Sequence, residues 1–294
     1  EPGLGATPVL KAIQGATKSV DLVIYQLADA QIEEALAADA ARGIKVRVLL
    51  NGGYYAKKEK GNDPAYNFLQ SHGVPTRWTP TYFALTHQKT LVVDGNDALI
   101  MTFNLVPKYY ATGRDFAIDD TNPADVSAIE DAFNADWDGD EITAGQGSAL
   151  VWSPGSEEQM LALISSASST IDIYNAEMAD QKITSALEAA AKRGVAVRVD
   201  MTYATNWKKA FQELTSAGVQ VRTWASTSKK LYIHAKMILA DGKTAFLGSE
   251  NFSPGSLLDN RELGLIISAP DIIFSLQKTF DSDWTNARVF ISSP

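Results

Sequence analysis

Apolar and polar positions follow two recurring patterns along the chain. Short runs of β-branched and aliphatic residues, such as those at 20–24 and 44–50, predict buried strands. The segment between them, at 30–41, is rich in Ala, Glu and Leu with helical apolar spacing, and it stops at an Arg-Gly pair. This order predicts strand–helix–strand units, and repeated alternation of such elements indicates an α/β fold.

The pattern occurs twice. Residues 19–50 align without gaps on residues 170–201, an offset of 151, and after a loop that is shorter in the second copy the offset becomes 147. The halves are therefore related by duplication. We predict two homologous α/β lobes, residues 1–141 and 142–294, each with a mixed, largely parallel sheet flanked by helices. The polar, Gly-containing stretch at 138–149 is the expected seam.

Composition narrows the classes of function. The 294 residues are 45% hydrophobic and carry 26 basic and 35 acidic side chains, so a net charge of −9 offers no global attraction to nucleic acid or anionic bilayers, although a local basic cleft remains open. Cysteine is absent and only three histidines are present, which excludes thiolate chemistry and disfavours a histidine-rich metal cluster. We expect no metal and no cofactor. The acidic string Asp136, Asp138 and Asp140 lacks the glycine of a calcium loop, so it predicts a solvated linker.

A His-x-Lys-(x4)-Asp motif, followed by an Asn at a fixed distance, occurs in each half. His and Lys stand two positions apart on a predicted strand, so both side chains point to one face. The Asn falls near the end of the return strand, where it comes back beside the histidine. A cation, a titratable ring and an amide thus converge. The matched residues are His87, Lys89, Asp94 and Asn104 in the first copy and His234, Lys236, Asp241 and Asn251 in the second.

A carboxylate lies 28 residues after each of these histidines, Asp115 in the first copy and Glu262 in the second. Such a carboxylate can accept a hydrogen bond from one ring nitrogen and leave the other nitrogen to react. The adjacent arginines, Arg114 and Arg261, are interpreted as structural ion pairs, with phosphate binding as the alternative.

Two sets of residues near the motifs receive structural interpretations. Asp94 and Asp241 each precede a Gly at a turn, where Asp is favoured by its backbone hydrogen bonds, so a supporting role is expected. His72, in a Ser-His-Gly turn, is interpreted as an ordinary residue outside the site.

The duplicated pattern, extended by Gly-Ser-x-Asn, resembles the phospholipase D superfamily over nearly the whole chain. The second copy has Gly248 and Ser249 before its Asn, whereas the first has Met101 and Thr102, of which only Thr102 keeps a hydroxyl. This departure predicts that the two halves do different jobs. The resemblance implies lobes packed about a pseudo-twofold axis around one shared site.

The resemblance also implies a two-step mechanism without a metal ion. His87 would attack phosphorus to form a phosphohistidine, and His234 would protonate the leaving alcohol and then activate water. The lysines and asparagines of the motifs would bind the non-bridging oxygens, because a phosphodiester repels nucleophiles until its charge is compensated. Thr102 and Ser249 are expected to support this arrangement.

The substrate is less determined than the chemistry. The first hypothesis is a phospholipase D that hydrolyses glycerophospholipid head groups, with transfer of the phosphatidyl group to an alcohol as a further activity and transient contact with a membrane surface. A nuclease of the same superfamily, a lipid synthase and a non-catalytic phospholipid or nucleic-acid receptor are the alternatives. No obligate protein partner is predicted. Because the sequence starts at Glu1, a secreted or periplasmic protein whose signal peptide lies outside it is expected.

Further sequence features bear on the substrate without deciding it. Lysines at 57, 58 and 60 predict an exposed loop that serves as a lid or phosphate contact, or carries ordinary solvated charge. Aromatic residues near the motifs are candidates for a cavity mouth that holds acyl chains or stacks on bases, or for plain packing. They are Tyr54, Tyr55, Trp78, Tyr82, Phe83, Trp207, Trp224 and Tyr232.

Overall fold

The computed structural model describes residues 2–52, 61–145, 147–227 and 229–291. Tyr54, Tyr55, Lys57, Lys58 and Lys60, and with them most of the predicted lysine-rich loop, lie outside these residues. Two large sheets, one in each half of the chain, carry helices on their outer faces, which confirms the α/β class and the two-lobe organisation.

The described elements follow one another in the same general order in both halves. The first half contains α1 (Thr7–Gly15), β1 (Ser19–Ile24), α2 (Ala30–Ala41), β2 (Lys45–Leu50), α3 (Asp63–Ser71), β3 (Thr76–Trp78), β4 (Lys89–Val93), β5 (Asp97–Met101), β6 (Gly113–Arg114), β7 (Ala117–Asp120) and α4 (Pro123–Asp138). The second half contains β8 (Leu150–Ser153), α5 (Ser156–Ser166), β9 (Thr170–Tyr174), α6 (Gln181–Lys192), β10 (Ala196–Thr202), α7 (Lys208–Ser216), β11 (Gln220–Trp224), β12 (Tyr232–Ile233), β13 (Lys236–Ala240), β14 (Thr244–Gly248), α8 (Pro254–Leu258), β15 (Glu262–Ile267), α9 (Pro270–Asn286) and β16 (Arg288–Val289).

Local sequence signals fix the helix that follows the first strand of each lobe. Asp29 caps α2 by accepting a hydrogen bond from the N–H of Gln31, and Asp180 caps α6 by accepting one from the N–H of Ile183. Both helices end just before a glycine with positive φ, Gly43 at 87° and Gly194 at 93°. The Arg-Gly stops read from the sequence are therefore confirmed.

The sheets are mixed, but the expectation that they are largely parallel is wrong. Their strand orders are β3-β2-β1-β4-β5-β7 and β16-β11-β10-β9-β13-β14-β15-β8. Within these two sheets the described parallel pairs are those of β1, β2 and β3 and of β9, β10 and β11, whereas β4 and β13 pair antiparallel to β1 and β9. A separate two-stranded parallel sheet joins β6 to β12 across the lobes. The Asp-Gly turns that follow β4 and β13 allow only tight hairpins, and a tight hairpin is necessarily antiparallel.

Three large hydrophobic clusters hold the molecule together. Each lobe has its own core between sheet and outer helices. The third cluster joins the lobes, because it brings Val92 and Ile100 of the first sheet against Met237 and Leu239 of the second. The edges of the two motif hairpins thus meet across a buried apolar interface, and this interface sets the position of the site.

The seam is more structured at its start than the solvated-linker interpretation held. Helix α4 continues to Asp138 and stops at Gly139, which has a φ of 80°. Asp136 lies within this helix, is buried, and forms an ion pair with Arg261 of the second lobe at 2.8 Å. The solvated interpretation is wrong for Asp136 but fits Asp138 and Asp140, which are exposed.

None of the helices within the described ranges is both long and apolar enough to cross a bilayer.

Candidate active site

Each motif histidine is positioned by backbone hydrogen bonds from the opposite lobe. The N–H groups of His87 and of the residue after it donate to the carbonyl oxygen of Arg261, at 2.9 and 3.1 Å. The N–H groups of His234 and of the residue after it donate to the carbonyl oxygen of Arg114, at 3.2 and 2.8 Å. Neither histidine can therefore keep its place unless both lobes are packed.

The carboxylates that hold the imidazole rings are exchanged between the lobes. Nδ1 of His87 donates to Oε2 of Glu262 at 2.7 Å, and Nδ1 of His234 donates to Oδ1 of Asp115 at 2.9 Å. Sequence spacing placed one acid after each histidine but does not show that each acid serves the other one. With Nδ1 engaged, the reactive lone pair of both rings is on Nε2.

A second set of contacts orients these carboxylates. Thr102 Oγ1 donates to Asp115 at 2.7 Å, and Asn260 Nδ2 donates to Glu262 at 3.0 Å. The carbonyl oxygen of Ser249 lies 3.1 Å from Nδ1 of His87. Thr102 therefore contacts the carboxylate that holds His234, and Ser249 contacts the ring of His87 itself. Both positions fit the predicted supporting role.

The two motif lysines are almost completely buried, with Lys89 1% and Lys236 0% exposed. The ammonium group of each donates to the carbonyl oxygen of its own histidine, and Nζ of Lys236 lies 3.2 Å from Nε2 of His234. Burial lowers the pKa of Lys89 well below its usual value and lowers that of Lys236 to about 8. Two desolvated cations at one place create a strong requirement for an anion.

The same burial keeps both rings neutral at neutral pH. Desolvation lowers the pKa of His87 to about 4, against the opposing effect of Glu262. Desolvation and then Lys236 lower the pKa of His234. A neutral ring with a carboxylate on Nδ1 is the form required of a nucleophile or a general base.

Asn104 and Asn251 come to the same place as the histidines. Each follows the return strand of its hairpin and is half-buried. Within the described ranges, neither Asn104 Oδ1 nor Asn251 Oδ1 has a hydrogen-bond partner, although both atoms are buried. Unpaired buried polar atoms are costly in a folded protein, and here they point to bonds that a ligand completes.

A cavity of about 370 Å³ contains the reactive ends of the site. It is lined by both histidines and both asparagines, together with Tyr25, Glu177, Tyr203, Trp207 and Tyr232. A second cavity of about 700 Å³ adjoins it and shares Asn104, His234 and Tyr232. Its other walls include Gln26, Phe103, Lys108, Tyr109 and Tyr110.

Only some of the aromatic residues noted in the sequence reach these cavities. Trp207 and Tyr232 do, whereas Trp78 stacks on Tyr66 with ring centroids 4.4 Å apart. Trp224 donates its ring N–H to the buried Asp200. Tyr82 and Phe83 pack at the Arg261–Asp136 ion pair. These four rings fit the packing interpretation.

Asp94 and Asp241 lie away from the cavities and bind backbone. Both have a φ of 54°, and Asp94 accepts hydrogen bonds from the N–H groups of residues 17, 18 and 19, as Asp241 does from residues 168, 169 and 170. Although burial acts the other way, these bonds lower the pKa of Asp94 to about 2 and also lower the pKa of Asp241. The expected turn role is confirmed for both.

The arginines next to the acids form ion pairs, as interpreted from the sequence. Arg114 pairs with Asp283 at 2.5 Å and Arg261 pairs with Asp136 at 2.8 Å. Asp136 and Asp283 occupy matched positions on α4 and α9, so each long helix reaches into the other lobe. These pairs support the segments that carry Asp115 and Glu262. His72 ends α3, stacks on Phe68 and lies outside the site.

One buried acid was missed by the sequence analysis. Glu250 is 0% exposed, and neither of its carboxyl oxygens has a hydrogen-bond partner in the described structure. Burial, and then the nearby Glu262, raise its pKa well above the usual value. A Cβ on Gly248 would lie only 2.3 Å from Oε2 of Glu250, so the glycine leaves the space that the carboxyl fills.

The close approach of the Gly264 backbone also requires a glycine at position 248, because a Cβ on Gly248 would lie 2.5 Å from the Cα of Gly264. In the first copy Phe103 stands at the position of Glu250 and turns into the first core. The position of Gly248 there carries the fully buried side chain of Met101.

No group of three or more His, Asp or Glu side chains in the described residues is arranged to hold a metal ion. Catalysis without a metal remains a prediction that rests on the histidine chemistry.

Comparison with known proteins agrees with this geometry. The family described as "Cardiolipin synthase, PLD-like domain" matches residues 9–137 and 160–284, once in each lobe. Phospholipase D Y of Dictyostelium discoideum is 31% identical over 129 residues, which cover 42% of this chain and 27% of that protein. Cardiolipin synthase B of Escherichia coli (strain K12) is 26% identical over 288 residues, which cover 81% of this chain and 66% of that protein.

A solved structure supports the fold. Phosphatidylserine synthase of Haemophilus influenzae Rd KW20 superposes with a TM-score of 0.77 at 13% identity, over 97% of this chain and 85% of that one. The chain spans 27%, 47% and 62% of the length of three curated relatives that it matches. The duplicated family match and the shared two-lobed site lead to one conclusion: the chain belongs to the phospholipase D-like family.

Proposed function

We propose that the protein is a phospholipase D that hydrolyses the head-group phosphodiester of glycerophospholipids through a phosphohistidine. One observation carries the proposal. Two neutral histidines, each held by a buried carboxylate of the opposite lobe, face one cavity above two desolvated lysines. The relatives named phospholipase D and cardiolipin synthase support a lipid substrate.

His87 is the proposed nucleophile. No hydrogen bond engages Nε2 of His87 within the described residues, whereas Nε2 of His234 lies 3.2 Å from the ammonium of Lys236. In the first step a bond forms between His87 Nε2 and phosphorus while the bond from phosphorus to the head-group oxygen breaks. His234, whose pKa the bound anion raises, donates the proton that this oxygen takes.

The second step restores the state of the substrate complex, in which the bound anion has drawn a proton from solvent onto Nε2 of His234. His234, now neutral, takes a proton from water, the hydroxyl oxygen attacks phosphorus, and the bond to His87 breaks. Lys89 and Lys236 compensate the charge on the non-bridging oxygens, and Asn104 and Asn251 supply amide hydrogen bonds. If an alcohol replaces water, the same step transfers the phosphatidyl group, and the relatives named cardiolipin synthase favour this as a second activity.

The test combines trapping with a comparison of substrates. Quenching with alkaline denaturant after mixing with phosphorus-labelled phosphatidylcholine should leave on His87 a label that is stable in base and lost in acid, and His72→Ala should be labelled like wild type. No label on any histidine would contradict the mechanism. Choline release and cleavage of single-stranded DNA are then measured side by side in chelator. DNA cleavage without lipid hydrolysis would show that the enzyme is a nuclease and not a phospholipase.

A further inference from the structure

We infer that the head group beside the scissile phosphate is cationic, and that Glu177, Tyr203 and Trp207 form its binding site. This inference rests on the proposed function and names the substrate class of the same cavity. Two positions that duplication made equivalent, Glu177 and Gln26, differ in this protein.

Glu177 and Gln26 are matched at the offset of 151 residues, yet they differ in charge. Glu177 lines the smaller cavity with both histidines, and Gln26 lines the larger one. The wall of the smaller cavity around Glu177, which we call the Glu177 flank, therefore carries a carboxylate. The matched position on the wall of the larger cavity has a neutral amide.

Glu177 is held in place by the backbone around it. Its N–H donates to Oδ1 of Asn175 at 3.0 Å, and the N–H of Ala179 donates to the carbonyl oxygen of Phe252 at 2.7 Å. Among the described residues, the carboxylate accepts one side-chain hydrogen bond, from Nδ2 of Asn251 at 3.5 Å. The buried Lys236 interacts with this carboxylate electrostatically, but among the described residues no Lys or Arg forms an ion pair with it. Its oxygens therefore remain available to a cationic ligand.

Aromatic rings complete this flank. Tyr203 and Trp207 line the cavity that Glu177 lines, and Tyr232 faces it from the strand before His234. Aromatic ring faces and a carboxylate together stabilise a bound ammonium group, because they replace the water that the cation loses on binding. This combination is the chemistry that recognises a choline or ethanolamine ammonium.

The same flank disfavours a polynucleotide. No Lys or Arg lines the smaller cavity in the described ranges, and Lys108 alone among such residues lines the larger one. A second phosphate in a nucleic-acid strand would lie against Glu177 without a compensating cation, whereas single-strand binders pair their aromatic rings with a positive groove.

Glu177→Gln tests the charge by itself, because glutamine keeps an acceptor for Asn251. The kcat/KM for phosphatidylcholine and for phosphatidylglycerol is measured in mixed micelles. The choline-to-glycerol ratio should fall about tenfold, the size of one desolvated cation–ring or ion contact. Trp207→Leu should lower the same ratio. Glu188→Gln is the matched control, because Glu188 is a carboxylate on the outer helix α6 whose only ion pair with another described residue is a long contact of 3.9 Å to Lys192.

A second measurement needs no lipid. Tetramethylammonium should inhibit hydrolysis of a nitrophenyl phosphodiester competitively in wild type and about tenfold more weakly in Glu177→Gln. Equal losses on both lipids with unchanged inhibition would overturn the inference and leave Glu177 as a positioning residue for Asn251. Absence of all phosphodiester hydrolysis by wild type would instead refute the proposed function.

Discussion

The His87 side and the His234 side of the site share a frame but differ in what surrounds the ring. Both have a buried lysine, a carboxylate from the opposite lobe and an arginine–aspartate pair behind that carboxylate. The His87 side adds the buried Glu250, whereas the His234 side opens to the larger cavity and has Lys236 close to Nε2.

The two copies of the site have diverged in the surroundings of the histidines and not in their supports, which allows each histidine a different role. Residues that hold the histidines in place are repeated, because both rings need the same tautomer and the same support. Residues around the rings are free to diverge, since attack and proton transfer require different surroundings.

Loss of either imidazole should have the largest effect and should separate the two sides. His87→Ala and His234→Ala should each lower turnover of phosphatidylcholine by at least about a thousandfold. With a nitrophenyl ester, whose leaving group needs no proton, His234→Ala should still form labelled enzyme and His87→Ala should not. Rapid-quench labelling measures this, with His72→Ala as the control. Labelling of His87→Ala would reverse the assigned roles.

The cross-lobe ion pairs should come next. Arg261 and Asp136 are both 3% exposed, so Arg261→Met leaves an unpaired buried charge and should lower the free energy of unfolding by about 3–5 kcal/mol. Arg114→Met should cost less, because the Arg114 side chain is 16% exposed. Urea unfolding measures both. Lys209→Met, at an exposed pair with Glu213, is the control, and a larger cost for Arg114→Met than for Arg261→Met would contradict the order.

The pH profile should show both depressed pKa values. Since the pKa of His87 lies near 4, neutral His87 persists well below pH 6.5, and kcat/KM should fall only as the pH approaches 4. Since the pKa of Lys236 lies near 8, this cation is lost as the pH rises through 8, and KM should rise there. Initial rates from pH 4 to pH 10 in buffers of constant ionic strength test both limbs. An acid limb centred at 6.5 would show that burial does not act on His87.

The turn aspartates should give the smallest and most equal effects. Asp94→Ala and Asp241→Ala each remove the acceptor for three backbone N–H groups and place Ala at a φ of 54°, which should cost about 1–3 kcal/mol of stability in both lobes. The kcat of the folded variants should stay near wild type. Thermal unfolding and initial rates measure this, with the exposed Asp131→Ala as control. A lowered kcat in only one variant would show that the turns differ in function.

The sequence predicted features whose causes are local. The Asp-Gly turns, the Arg-Gly helix stops and the His-x-Lys spacing each depend on residues a few positions apart, so they leave a readable pattern. The prediction of largely parallel sheets was wrong, because the antiparallel pairing of β4 with β1 joins segments about seventy residues apart. Alternation of strands and helices along the sequence does not indicate which strands become neighbours.

The sequence by itself determined that one site is built from two matched sets of residues, since identical spacing in both copies cannot be local coincidence. Only the tertiary structure decided which acid serves which histidine and that Glu250 is buried behind Gly248. It also placed Glu177 on the wall of the smaller cavity and Gln26 on the wall of the larger one. The acid–histidine contacts join residues 175 and 119 positions apart, and they form only when the buried interface brings the lobes together. A single sequence carries no periodic signal over such distances, so packing alone makes that choice.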